Sequence, residues 1–272
     1  MSAEALALLL GLALGAPEEP QPIVLGTFEV QRSSAVSAHN IRLDVKSYSG
    51  SRYGELTRRK ALLGKSPAAL DVDLRKLDAP PRERAKKAHR RCSFAIDCEE
   101  PSVLRAQEQL VARYGKKPTA KQIERFVDEF IVKKSLAYGM TPASTVATTH
   151  EGDCTEHAVL FTALARVTGH AARFVSGLVL VQPSAGSKEL VAYGHAWAEV
   201  HDGKNWRRYD PALLLVRSTA SNNGRPLGCL SYVPTRIMDD EGPGFSASPG
   251  FDVIYVARVQ VSAQFGATDH CP

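Results

Sequence analysis

The sequence predicts an α+β fold. Helical periodicity dominates from about Ser66 to Thr168, and antiparallel-type strand patterns follow it instead of alternating with it. Size and composition fit that class. The chain has 272 residues, 44% hydrophobic and 23% charged, enough for one large or two small cores. A net charge of +5 gives weak attraction to acidic partners and no reason to expect nucleic acid. No apolar run reaches the roughly 18 residues of a membrane span.

Ala5–Ala16 is almost wholly Ala, Leu and Gly, and Pro17-Glu18-Glu19-Pro20 breaks the run. Such a segment resembles a signal peptide, with small residues at Ala13-Leu14-Gly15 for cleavage. No Lys or Arg stands near Met1, only Glu4. The expected organisation is a signal peptide over 1–16 and a strand pair with a helical region over 17–118. A core domain over 119–217 follows, and 218–272 completes the same domain. The expected localisation is periplasmic or secreted.

Ile23–Val30 and Ile41–Tyr48 have strand character, joined by Ser33–Asn40. In the second, Ile41, Leu43 and Val45 alternate with Arg42, Asp44 and Lys46, the period of a half-buried strand. Ser66-Pro67 is a cap followed by Pro at the first helical position, which predicts a helix there. Arg82–Arg91 is strongly basic; Glu83 is interleaved and aromatics are few, so a solvated helix face outweighs a nucleic-acid patch. Ser102–Tyr114 reads as a helix ended by Gly115. Thr119-Ala120-Lys121-Gln122 is a capping box. It opens a helix with Ile123, Phe126, Val127, Phe130 and Ile131 on one face, expected to end near Gly139.

Asp153-Cys154-Thr155-Glu156 is a second capping-box pattern, and Phe161, Leu164 and Val167 recur at helical spacing up to Gly169. Cys154 then occupies the first helical position, where free N–H groups and the positive helix end favour a thiolate. Strand patterns follow at Arg173–Val181, Val191–Val200 and Asn205–Tyr209, with a loop at Pro183–Lys188. Ser218–Gly250, rich in Gly, Pro, Ser and Asn, reads as irregular and pinned by Cys229; Phe251–Val261 reads as a final strand.

There are five cysteines. Exported chains pair them, and an odd one left over is a candidate reactive thiol. The simplest accounting pairs Cys92 with Cys98 and Cys229 with Cys271, and leaves Cys154 free. Four cysteines allow three pairings, and a cytosolic chain would keep all five reduced.

A thiolate needs a base. Asp202-Gly203 is the preferred pair for a two-residue hairpin turn. With that turn, His201 faces Lys204, and His195 lies directly opposite Asp210 on one face of the sheet. His195 can then exchange a proton with Cys154 while Asp210 orients the ring. The Cys154 backbone N–H is a candidate oxyanion donor, with Ser144 and Thr145 as weaker candidates for a second. His157, on the helix of the cysteine, is the main competitor as base; His150, His170 and His201 are further histidines. Glu199 is a less favoured replacement for Asp210. Trp197 reads equally as a wall of the substrate site or as a packed strand aromatic. A zinc site built on Cys154-x-x-His157, His195 and Asp210 is the minority alternative, since only one short-spaced ligand pair is present.

These stretches resemble the transglutaminase-like superfamily, a papain-related group of thiol enzymes. The matching segments are Gly152–Leu160, Gly194–Val200 and Tyr209-Asp210-Pro211, with Ala171–Gly177 between them. They cover roughly residues 120–212. The residues flanking this region look like those of bacterial exported members. The resemblance implies a papain-like core, with the nucleophile at the start of a helix packed on an antiparallel sheet. It implies Cys154 as nucleophile, His195 as base and acid, and Asp210 as orienter. It also implies a peptide or protein substrate attacked at an amide through an acyl-thioenzyme, resolved by water in a protease or amidase or by a lysine amine in a cross-linking enzyme. No calcium loop of the animal type is evident, so no metal or other cofactor is expected. A non-catalytic binding module of the same fold is the third possibility.

Overall fold

A large mixed sheet and a cluster of helices on one of its faces organise the computed structural model. It describes residues 27–49, 54–63, 68–78, 81–134, 140–182, 191–213, 228–238 and 253–263. The expected signal peptide and Pro183–Lys188 loop lie outside the described residues. The strands are β1 (Thr27–Ser33), β2 (Asn40–Ser49), β3 (Ala69–Asp73), β4 (Lys133–Lys134), β5 (Glu151–Gly152), β6 (Ala172–Gln182), β7 (Val191–His201), β8 (Trp206–Tyr209), β9 (Gly228–Met238) and β10 (Val253–Ser262). The helices are α1 (Gly54–Arg58), α2 (Leu74–Asp78), α3 (Pro101–Tyr114), α4 (Ala120–Phe130), α5 (Ala143–Thr149) and α6 (Cys154–Val167).

The strand order is β3-β2-β10-β1-β7-β6-β9, with β8 added to β7. Most neighbours are antiparallel; β1 and β10 run parallel. The alternation in β2 holds, and Ile41, Leu43 and Val45 are buried. The expected N-terminal strand pair does not pair with itself, because β10 inserts between β1 and β2. The helix expected from Ser66 is also corrected: Ala69–Asp73 is a strand on β2, and its buried Leu70 and Val72 obey a period of two. Ser218–Gly250 is not irregular throughout. It contains the long strand β9, which accommodates Pro234 beside a register shift between Ser176 and Gly177 of β6.

Helix α6 sits at the centre of the helical layer. Every residue from Cys154 to Arg166 is buried, so it is apolar-packed all round instead of amphipathic. One side meets Ala172, Phe174, Ala196, Ala198 and Val200 of β6 and β7, and α3, α4 and α5 cover the rest. Both strong helix starts behave as their sequences dictate: Thr119 and Asp153 each form the reciprocal capping box. Gly115 and Gly169 follow α3 and α6 with positive φ. Helix α4 stops at Phe130, short of Gly139, because Lys133 and Lys134 leave it to pair with Glu151 and Gly152. The basic 82–91 stretch is not a regular helix; only Lys87–Arg90 forms a 3-10 turn. The segment is held instead by Trp206, whose backbone N–H donates to the Pro81 carbonyl and whose indole N–H donates to that of Glu83.

Cys92 and Cys98 form a disulfide. The loop it closes caps α5 from outside. Pro142 offers α5 no side-chain cap. In its place the Ala95 carbonyl accepts from Ala143 N–H at 3.0 Å and Asp97 Oδ1 accepts from Ser144 N–H at 2.9 Å. Among the described residues Cys154 is a free cysteine. The Cys229 side chain and Cys271 lie outside what the structure describes, so their expected pairing has no counterpart here.

Candidate active site

The entry to α6 is built by two carboxylates and a glycine. Asp153 Oδ1 accepts from Thr155 N–H at 2.7 Å, and Glu156 Oε2 accepts from Asp153 N–H at 3.1 Å. Glu156 Oε1 also accepts from Thr141 N–H at 3.1 Å, tying the preceding segment to the first turn. Burial and the adjacent Asp153 carboxylate raise the Glu156 pKa from its usual range to about 7. A Cβ on Gly152 would stand 2.2 Å from Glu156 Cβ, so only glycine lets the chain enter this way. The result places Cys154 at the first helical position, wholly buried.

The second part comes from β7 and β8, with a corrected register. The expected two-residue turn is a four-residue loop, Asp202 to Asn205, and His201 pairs with Trp206. Asp202 is the reason. Its Oδ1 accepts from both Lys204 and Asn205 N–H groups and its Oδ2 from Arg207, which widens the turn. The register therefore moves by two residues, which keeps every side chain on its face. Asp210 follows the end of β8 and meets His195 diagonally instead of directly across.

His195 Nε2 and Asp210 Oδ2 are 2.8 Å apart, and both residues are buried. Burial works against an imidazolium, yet the Asp210 charge, the neighbouring Cys154 and hydrogen bonds to both outweigh it and raise the His195 pKa to about 10. Nε2 is committed to Asp210, which leaves Nδ1 as the ring nitrogen for Cys154. Asp210 is itself held on every side. Tyr232 Oη donates to Oδ2 at 2.6 Å, Leu213 N–H donates to Oδ1 at 3.3 Å, and the Asp210 N–H donates to the buried Glu124 at 2.7 Å. Gly177, opposite His195, allows β9 to approach: a Cβ there would stand 2.1 Å from the Val233 carbonyl oxygen. That approach brings in Tyr232.

The other candidates take different places. Trp197 is buried, edge-on to Tyr232 at 5.1 Å and 6.3 Å from the His195 ring, so it walls the His195–Asp210 pair. Glu199, on the same strand face as His195, does not bond it and is held instead by Arg59 at 2.7 Å and by Arg173 at 2.7 Å. His157 is not a base. Its Nδ1 lies 2.6 Å from the Asp153 carbonyl and its Nε2 2.5 Å from Lys134 Nζ, and burial together with Lys134 lowers its pKa to about 3. With both ring nitrogens engaged, it is also unavailable as the short-spaced zinc partner of Cys154. The Ser144 N–H is taken by Asp97 and that of Thr145 by the Pro142 carbonyl, so neither is a free oxyanion donor. His150 stacks on Phe130, and His170 contacts the Pro118 carbonyl at 2.9 Å.

Sequence reasoning misses Tyr232, Glu124 and Lys134. Tyr232 lies in the Gly- and Ser-rich stretch read as irregular; Tyr232-Val233, Thr235 and Ile237 are the local signs of a strand there. Glu124 and Lys134 carry no local signal, because their partners are 86 and 23 residues away.

Among solved structures, the chain is similar to a "putative cysteine protease" from Cytophaga hutchinsonii, at 14% identity with a TM-score of 0.45, covering 82% of this chain and 81% of that one. It is also similar to the periplasmic domain of TgpA from Pseudomonas aeruginosa, at 18% identity with a TM-score of 0.31, covering 44% and 46%. The same domain bound to ethylmercury matches at 20% identity with a TM-score of 0.30, covering 42% and 45%. No curated protein sequence matches the chain. Residues 106–211, which hold α6, the β7–β8 hairpin and Asp210, match the model of the transglutaminase-like superfamily. Over those residues the chain is thus similar to the transglutaminase-like superfamily, within an α+β fold.

Proposed function

We propose that this protein is a thiol enzyme in which Cys154, His195 and Asp210 act as a triad on an amide. The observation that carries this reading is a buried imidazole bonded to a carboxylate 2.8 Å away, with the helix-start cysteine as its neighbour. His195 holds the proton that Cys154 gives up, and the thiolate attacks the carbonyl carbon of the amide. The carbonyl oxygen becomes an oxyanion, for which the Cys154 N–H is a donor. His195 then protonates the leaving amine, and the acyl-thioenzyme remains. Asp210 keeps the ring oriented and stabilises the imidazolium throughout. Hydrolysis of the acyl-enzyme makes the protein a peptidase or amidase; capture by a lysine amine makes it a cross-linking acyltransferase. The disulfide supports action in an oxidising compartment, outside the cytosol.

A glutamine-containing peptide, incubated with and without a primary amine, separates the two outcomes. Free acid alone identifies a hydrolase, and an amine adduct identifies a transferase. Cys154→Ala is expected to abolish both products and keep the melting transition; undiminished turnover by that variant would refute the triad.

The burial of Cys154 and His195 favours one second reading, a closed site that binds without turning over. Iodoacetamide decides between them. Rapid modification of Cys154 in the folded protein supports the enzyme, and no modification short of unfolding supports the closed module.

A further inference from the structure

The hydrogen bonds of His157 run from Lys134 to the peptide bond between Asp153 and Cys154. A carbonyl oxygen can only accept, so the 2.6 Å contact with Asp153 makes Nδ1 the protonated nitrogen of the ring. Nε2 is then the acceptor, and Lys134 Nζ, 2.5 Å away, is the donor. The same Asp153 carbonyl also accepts the His157 backbone N–H at 3.0 Å. Both of its lone pairs are occupied by donors from one residue. The N–H at the other end of that peptide belongs to Cys154, the donor assigned above to the oxyanion.

We infer that Lys134 and His157 are positioning residues that polarise the Asp153–Cys154 peptide, making the Cys154 N–H a stronger oxyanion donor. This rests on the triad reading. Hydrogen bonds in series strengthen one another in a low-dielectric interior, and donation to a peptide carbonyl draws electron density from its N–H. The surroundings suit the task. His157 is wholly buried, and its lowered pKa keeps it neutral, so it stays a relay with one donor and one acceptor. Lys134 keeps about a third of its side chain exposed at the edge of the site, and Asp128 Oδ1 lies 3.8 Å from its Nζ. Its backbone is fixed by the β4–β5 pairing of Lys134 with Gly152, two residues before the nucleophile. A purely structural role would explain a histidine bonded to its own helix, but not an amine aimed at the far ring nitrogen from strand β4.

The test compares two reactions of Cys154 in Lys134→Met, Lys134→Arg and His157→Asn. Acylation by an amide substrate passes through an oxyanion; alkylation by iodoacetamide does not. Lys134→Met is expected to lower the single-turnover acylation rate about 10-fold, less than the ~10²-fold or more of losing an oxyanion donor outright, with alkylation and melting temperature unchanged. Lys134→Arg restores most of the loss. His157→Asn, which keeps a donor for Asp153 but drops the link to Lys134, behaves like Lys134→Met. Independently of turnover, the Cys154 amide proton in an ¹⁵N-labelled spectrum is expected to move upfield in Lys134→Met and to return in Lys134→Arg. An unmoved amide proton, or equal losses in acylation and alkylation, overturns the inference and leaves the triad standing. Undiminished turnover by Cys154→Ala overturns the triad itself, and the amide shift still decides whether the peptide is polarised.

Discussion

Strand β7 carries two buried charge clusters four residues apart, and they do different things. At His195 a carboxylate meets an imidazole; at Glu199 a carboxylate meets two guanidinium groups. Both carboxylates are buried, and the two residues share one face of the strand. The Glu199 cluster is saturated. Arg173 also reaches Glu83, its guanidinium lies 4.0 Å from the Trp206 ring, and Arg59 also bonds Glu55. Arginine does not release its proton in a protein, so that cluster can only hold strands and α1 together. Imidazole does exchange its proton, and His195 has one nitrogen left beyond Asp210. Equal burial of charge thus gives a strut in one place and a candidate catalyst in the other, and the partner's chemistry makes the difference.

Exchanging the variants is the strongest way to break that contrast. His195→Gln is expected to lower amide turnover by about 10³-fold or more while the protein stays folded. Steady-state rates beside a urea melt check this, and near-normal rates would make His195 another strut. Glu199→Ala should do the reverse. Removing one member of a buried ion cluster typically costs about 3–5 kcal/mol, and the fraction still folded should turn over normally. A large drop in rate per folded molecule would mean that the two clusters are coupled.

The pH response sharpens the same contrast. His195 has its pKa raised from about 6.5 to about 10 on folding. The stability it contributes is therefore fully present below pH 6.5 and lost as pH rises through about 10. Wild-type melting temperature is expected to fall across that window by more than that of His195→Gln, and parallel curves would contradict it. Glu156 acts in the same direction over a lower window, since its raised carboxyl pKa also makes folding take up a proton below about 7. The smallest expected effect is that of Tyr232→Phe. It removes one donor to Asp210 and leaves the others, so turnover should fall by less than about 10-fold, measured as kcat/KM.

Local rules made much of this legible. Asp153 and Glu156 announce a helix start three residues apart, and the structure forms that capping box. The hairpin reading is more instructive. Its turn is wrong by two residues, yet His195 and Asp210 still meet, because a shift of two preserves the face and the diagonal neighbour is within reach. A shift of one would have separated them. What stayed hidden depends on distant pairing. Strand β9 reads as a loop because Gly-, Pro-, Ser- and Asn-rich residues surround it and Pro234 interrupts it, although Tyr232, Val233, Thr235 and Ile237 favour a strand; the register shift beside Gly177 accommodates the proline. Lys134 reads as the tail of a helix because nothing near it reveals the bridge to Gly152. The place of β10 between β1 and β2 is likewise invisible to any local window.

That last feature has a consequence for when the protein can work. Val30 pairs with Val259, and β2 pairs with the other edge of the same late strand. β1 also flanks β7, the strand that carries His195. Such non-local pairing forms slowly and only after the whole segment is available. A chain in which Val253–Ser262 has not yet been made therefore has Cys154 but not the full sheet that flanks His195. For the proposed triad, this predicts that the ordering of His195 beside Cys154 comes later in folding than α6 itself, a delay between the thiol and its base.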